Sequence, residues 1–284
     1  MTALTSARIP SQPAGFTGIG PLLRVSLRQD IRKVAPWALA IAALSASSIL
    51  AYGLIFPDSK SRMELARTLG SNPALSLVFG PARDLTTADG FNAWRSGQLG
   101  MFFAGMMATL TVVRNSRANE DTGQAELIAS SVVARNTRLA VAIAVAAIAS
   151  IATGIMTFLA TVASGGDPTA TLVLAATFTT SGLIFTGVAA IAVQLGSDAR
   201  AASTIGIATL GLVYVLRGYI DSAGASPWVT WTTPLGWLQE TRPAAENNPW
   251  PVLLALGLTA ALIAVGFLLQ GRRDFGQGMI ARRP

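Results

Sequence analysis

The side chains best suited to chemistry lie between Arg114 and Arg138, in the run RNSRANEDTGQAELIASSVVARNTR. Arginines at 114, 117, 135 and 138 stand there with the carboxylates Glu120, Asp121 and Glu126. Arg117 precedes Glu120 by three residues and Asp121 by four, a spacing that supports a solvated helix. Glu120, Gln124 and Leu127 fall on one side of it. Gly123 is the anomaly, since a mid-helix glycine costs about 1 kcal/mol against alanine. It either admits the close approach of a second backbone or marks a break between two short helices. Alternating charge on a helix makes and breaks no covalent bond. It can dock a partner and take up a force.

Other chemistries find no residues. The chain has no histidine and no cysteine, which removes the usual general base, the serine–histidine–aspartate triad and thiolate metal sites. Lys60-Ser61 is the only Lys-Ser pair, and Ser59 and Leu54 stand where a phosphate-binding loop needs glycines. A serine–lysine dyad would have to use Lys33 or Lys60, both at the edges of apolar runs. The expectation is a chain with no catalytic residue and no metal site.

The elements that position the charged run are apolar. Of 284 residues 51% are hydrophobic and 12% charged, too apolar for a soluble domain. The net charge of +7 does not point to nucleic acid, because the basic residues gather at the ends of apolar stretches instead of on one face. Six stretches, uncharged but for Arg217 in the fifth, can each cross about 30 Å of hydrocarbon: about 35–57, 96–113, 139–164, 169–196, 201–220 and 250–271. The fifth is short unless it runs past Arg217, which would then snorkel to the interface. The fold class expected is an all-α integral membrane protein with six transmembrane helices. The domain 35–271 is flanked by a flexible tail at 1–19 and a C-terminal tail at 272–284. At 20–34 Leu23, Leu27, Ile31 and Val34 form one stripe and Arg24, Arg28 and Arg32 another, which predicts an amphipathic helix on the membrane surface. A solvated helix against a soluble partner is the plainer alternative.

Segments 58–95 and 221–249 join spans on one side. Ser61 to Glu64 fits a capping box and Gly70 a helix stop, while Trp228, Trp231, Trp237 and Trp250 make the second segment an aromatic, membrane-hugging one. Placing both termini in the cytoplasm puts two thirds of the 21 basic residues inside, as the positive-inside rule asks. The 114–138 segment is then cytoplasmic, between spans two and three. The carboxylates are expected to be peripheral to the spans, Asp167 and Asp198 in turns and Asp221 at an outer edge, which weakens coupling to an ion gradient. Gly182, Gly187, Ala189, Ala190, Gly206 and Gly211 allow close helix approach. Thr177, Thr179, Thr180, Ser181 and Thr186 can bond across helices or back to their own carbonyls. Phe102, Phe103, Met106 and Met107 are candidates for a substrate cavity, since aromatic and thioether groups accept varied apolar shapes; facing lipid or neighbouring helices is the alternative.

The segment Arg117-Ala-Asn-Glu120-Asp121-Thr-Gly123-Gln124-Ala-Glu126-Leu127 resembles the cytoplasmic loop of ABC-2-type permeases, in particular actinobacterial antibiotic and multidrug exporters. NPALSLVFGP (72–81), FNAWR (91–95) and PLGWLQETRP (234–243) are similar to the family as well. The excess of arginine over lysine also suits a GC-rich, actinobacterial genome. The resemblance implies a permease subunit of an ATP-driven exporter of hydrophobic compounds, working by alternating access. Arg117, Glu120, Asp121, Gly123, Gln124, Glu126 and Leu127 would form its coupling helix. It implies no cofactor in this chain: ATP and magnesium belong to an ABC ATP-binding subunit, present in two copies. Family members are commonly about twice as long, with two six-helix halves, and the ending RRDFGQGMIARRP resembles the join after a first half. A second permease half or a second copy of the chain would complete the pore in the plasma membrane, in contact with lipid. Export of a lipid or glycan, and ion-coupled secondary transport, are the alternatives.

Overall fold

The computed structural model describes residues 18–70, 72–118 and 135–271. Helix α1 (Ile19–Ile55) passes through Pro36 without a break. At 1.5 Å per residue its 37 residues extend about 55 Å, well beyond one hydrocarbon thickness. The stretch 20–34 is therefore continuous with the first span and not a separate element. Its inward face carries Ser26 and Asp30, both buried, beside the half-buried Leu23, Leu27 and Val34 of the apolar stripe, while Ile31 of that stripe is 65% exposed. The neighbours at that level are polar and need the carboxylate.

Short helices follow at α2 (Ser59–Gly70) and α3 (Pro73–Phe79). Gly70 ends α2 as expected. Its start is capped by Asp58, which accepts from the Ser61 amide at 2.8 Å, so the Ser61 capping box is not the device used. Asn72 caps α3 through the Ala74 amide, with Pro73 in the first turn.

Four long helices come next: α4 (Ala88–Val113), α5 (Arg135–Ala163), α6 (Pro168–Leu195) and α7 (Ala199–Ser222). A π-helical turn, Arg114–Ala118, extends α4. Then come α8 (Pro227–Thr230), α9 (Pro234–Gln239) and α10 (Trp250–Gly271). Six of these helices are long and apolar enough to cross a membrane, and no strand occurs among the described residues. The turn acids have a local reason: Asp167 and Asp198 are N-caps, accepting from Ala170 and Ala201.

Helix α6 is the hub, packing against α4, α5, α7 and α10. The most apolar windows of α4 and α6 are 72% and 67% buried, against 17% for α7 and α10, so two helices form the core and two the edge. Close approach depends on small residues. A Cβ on Gly182 would lie 2.3 Å from Ser150 Oγ of α5. Gly211, expected to act alike, has nothing within 4 Å. Polar rungs cross the core: Ser45 Oγ accepts from Asn92 Nδ2 (2.9 Å) and Thr161 Oγ1 (2.8 Å), joining α1, α4 and α5. Of the hydroxyls marked on α6, Ser181 donates to the Met101 carbonyl and Thr179 to that of Ser150. Thr177, Thr180 and Thr186 bond back to their own helix.

Candidate functional site

Two arginines are the largest fully buried side chains of the described residues, and they occupy opposite ends of the bundle. Arg117 sits on the π turn after α4. Its Nε donates to the Val193 carbonyl at 2.9 Å and its Nη2 to the Gly196 carbonyl at 2.6 Å. These are C-terminal carbonyls of α6, which lack partners within the helix and form the negative end of its dipole. Arg117 is 1% exposed, so the solvated position expected for it is corrected: it closes the end of a neighbouring helix. The other coupling candidates, Glu120, Asp121, Gly123, Gln124, Glu126 and Leu127, lie outside the described residues.

Beside Arg117 the π turn is tied to α1. Asp30 accepts from Arg114 Nε at 2.8 Å and from Asn115 Nδ2, and Asn115 also donates to the Thr111 carbonyl. The Asp30 side chain is 5% exposed. The expectation of acids peripheral to the spans did not single out Asp30, which is buried at the end of the bundle between Arg114 and Asn115. The signal was a single acid among Arg24, Arg28, Arg32 and Lys33, seven residues after Leu23 and four before Val34, and so on the side of the apolar stripe.

At the far end Arg217 of α7 has a side chain of 0% exposure, so it does not snorkel. It pairs with Asp221 at 2.8 Å, one turn on, whose side chain is 6% exposed. It also donates from Nη2 to the carbonyls of Leu77 (3.0 Å) and Val78 (3.4 Å), near the end of α3. Tyr214 donates to the same Val78 carbonyl, and its ring lies 5.0 Å from the guanidinium. Helix α3 reaches Arg217 because Gly218 has no side chain; a Cβ there would lie 2.2 Å from the Leu77 oxygen. Asp221 accepts further from Gln239 Nε2 at 3.0 Å, and Gln239 Oε1 from Gln98 Nε2 at 2.8 Å.

Gln98 and Gln239 border a cleft between α4, α6, α9 and the α3–α4 connection that is partly open to solvent. Trp94, Met101, Leu174 and Leu238 give it an apolar wall, and Arg83, Asp84 and Arg242 line it too. Those charges are engaged: Glu240 pairs with Arg83 and with Arg242 at 2.6 Å each. Donors from Thr86 and Thr87 hold Asp84. The four substrate-cavity candidates do not line this cleft. Phe102 stacks on Tyr214 and Phe103, and Phe103 reaches Trp37. Met106 is half-buried, and Met107 is buried with its sulfur accepting from Thr153. Among the described residues no group of three His, Cys, Asp or Glu could hold a metal ion.

Comparison with known proteins adds a family. A model of the C-terminal domain of the multidrug efflux system permease Rv1217c matches residues 22–269. The multidrug efflux system permease protein Rv1217c of Mycobacterium tuberculosis is 35% identical over 279 residues, covering 98% of this chain and 50% of that protein. The chain thus spans about half the length of this curated relative.

Proposed function

The chain belongs to the ABC-2-type efflux permeases of actinobacteria, the family of the multidrug efflux system permease Rv1217c, and from that premise we propose that it is the membrane-spanning subunit of an ATP-driven exporter of hydrophobic compounds. It acts without chemistry on its cargo. A separate ABC ATP-binding subunit, in two copies, binds ATP with magnesium and docks on the 114–138 segment from the cytoplasm. A second permease half or a second copy of the chain completes the pathway in the plasma membrane, with both termini of this chain cytoplasmic.

The observation that carries the reading is the Arg117 side chain. It joins the root of the segment holding Glu120, Asp121 and Glu126 to the carboxyl end of α6, the helix packed against four other long ones. A displacement of that segment loads the centre of the bundle directly, which is what alternating access needs from an external energy source. Ion coupling would draw on the buried carboxylates Asp30 and Asp221, but each is held by a guanidinium.

The test is reconstitution with the ATP-binding subunit. Charge reversal at Glu120, Asp121 and Glu126 is expected to abolish efflux and substrate-stimulated ATP hydrolysis while membrane insertion persists. Full activity in that variant refutes the coupling role. Transport driven by an ion gradient in liposomes lacking the ATP-binding subunit refutes the energy source.

A further inference from the structure

The polar chain behind the cleft has a fixed direction. Asp221 only accepts hydrogen bonds, and it takes Arg217 on Oδ2 and Gln239 Nε2 on Oδ1. Gln239 must therefore turn its amide nitrogen toward Asp221 and its oxygen toward Gln98. That oxygen in turn requires the Gln98 nitrogen. Flipping either amide would set two donors or two acceptors against each other. The last atom in the chain is Gln98 Oε1, which is buried and receives no hydrogen bond from the protein. Successive amides polarise one another, so this oxygen is a stronger acceptor than that of an isolated amide. A buried polar atom of this kind calls for a donor.

Gln98 is 3% exposed and is itself part of the cleft wall, beside Trp94, Met101 and Leu174. We infer that the cleft is a binding site for a compact, largely apolar molecule carrying one hydrogen-bond donor, a hydroxyl or an amine, directed at Gln98 Oε1. The apolar wall takes the ring or chain of the ligand. The rim cations Arg83 and Arg242 are already paired through Glu240, and an anionic ligand would bring an acceptor against an acceptor. As a station on an export route the site rests on the permease reading; as a binding site it does not.

The probes are 2-naphthol and 2-methoxynaphthalene, which share a ring system and differ in the donor. Binding is measured by equilibrium dialysis on the full chain in lipid nanodiscs, with empty nanodiscs subtracted. The wild type is expected to hold the naphthol about tenfold more tightly than the ether, the value of one well-made hydrogen bond to a buried acceptor. Gln98→Met keeps the volume and is expected to erase that preference while leaving ether binding in place. Ala93→Phe, at a half-buried position of the same wall, fills the cleft and is expected to weaken both probes. Equal affinities in the wild type, a preference that survives Gln98→Met, or binding indifferent to Ala93→Phe overturns the site, the oxygen then being served by water alone. The wild-type ratio and Ala93→Phe decide the matter even where Gln98→Met does not fold. Loss of efflux with the preference intact would count against the permease reading and not against the site.

Discussion

The Arg217–Asp221 pair offers the sharpest test of the buried architecture. With side-chain exposures of 0% and 6%, neither partner can recover its hydration when the other is removed. Breaking such a pair by deleting one charge costs about 3–5 kcal/mol, most of it the penalty of the charge left behind. Arg217→Met and Asp221→Asn are each expected to fall in that range. At about 2–4 °C per kcal/mol for chains of this size, each should lower the midpoint of thermal unfolding by about 6–20 °C. The double variant leaves no orphan charge. It still loses the donors to Leu77 and Val78 and the contact with Tyr214, at about 1 kcal/mol per hydrogen bond. Its cost should therefore be at least 2 kcal/mol below the sum of the singles. The assay is the full double-mutant cycle in detergent or nanodiscs, at one heating rate because membrane-protein unfolding is commonly irreversible. Additivity within about 0.5 kcal/mol, or single variants that cost less than that as an exposed, snorkelled arginine would, refutes the reasoning.

Three further outcomes follow from the same physics. Asp30→Asn should cost only about 1–2 kcal/mol and lower the melting midpoint less than Asp221→Asn, because the Arg114 side chain is 28% exposed and can turn to water. Gly182→Leu would drive a side chain into Ser150 and destabilise by about 1–3 kcal/mol or more, whereas Gly211→Leu, with no neighbour within 4 Å, should not lower the midpoint and gains helix propensity. Burial pushes the Asp84 carboxyl up, but donors from Thr86 and Thr87 outweigh it and hold the group below the usual carboxylate range. A carboxylate lowered by folding stabilises the protein above its unfolded pKa of about 3.9, and the contribution disappears as pH falls through the lower folded value. Melting scans below about pH 4 should accordingly be less steep in pH for Asp84→Asn than for the wild type.

Apolar run length finds all six long helices and sets the bounds of four of them within a few residues, because crossing hydrocarbon sets a length that composition reveals. The sixth coincides at Trp250–Gly271. The second was placed to start at Ser96 and begins at Ala88, because Asp89 and Arg95 are charged and hydropathy cannot distinguish a charge in water from one engaged by a neighbour. Arg95 bonds Ser48, and Asp89 accepts from the Asp167 amide. The same blindness hid Asp30 and the Arg217–Asp221 pair. The cleft was illegible for another reason: its walls come from residues more than 130 positions apart, as Gln98 and Gln239 are, and nothing local in either helix announces the other. The hydroxyl pattern on α6 was legible only as a choice between bonding across and bonding back. Packing against Met101 and Ser150 made that choice for Ser181 and Thr179.

One trace of the buried arginines was present in the sequence all the same. Helices α3 and α6 end without a basic residue in their last turn, although each leaves C-terminal carbonyls unsatisfied at the negative end of its dipole. Arg217 and Arg117 supply the missing charge from other helices. Such a clamp differs from a cap made within one helix, because it transmits displacement: the guanidinium cannot leave its carbonyls without abandoning a charge in a nearly dry site. At the Arg217 end the clamp binds α3 to α7 and so sets the wall behind Gln98. At the Arg117 end it binds the start of the proposed coupling segment to α6. Since α6 packs against α4, α5, α7 and α10, a push received near residue 120 cannot be absorbed by α4 alone. It must either move α6 or break the Arg117 clamp, and breaking it is the costlier course. On the permease reading, Arg117 is then the residue through which docking becomes motion of the bundle.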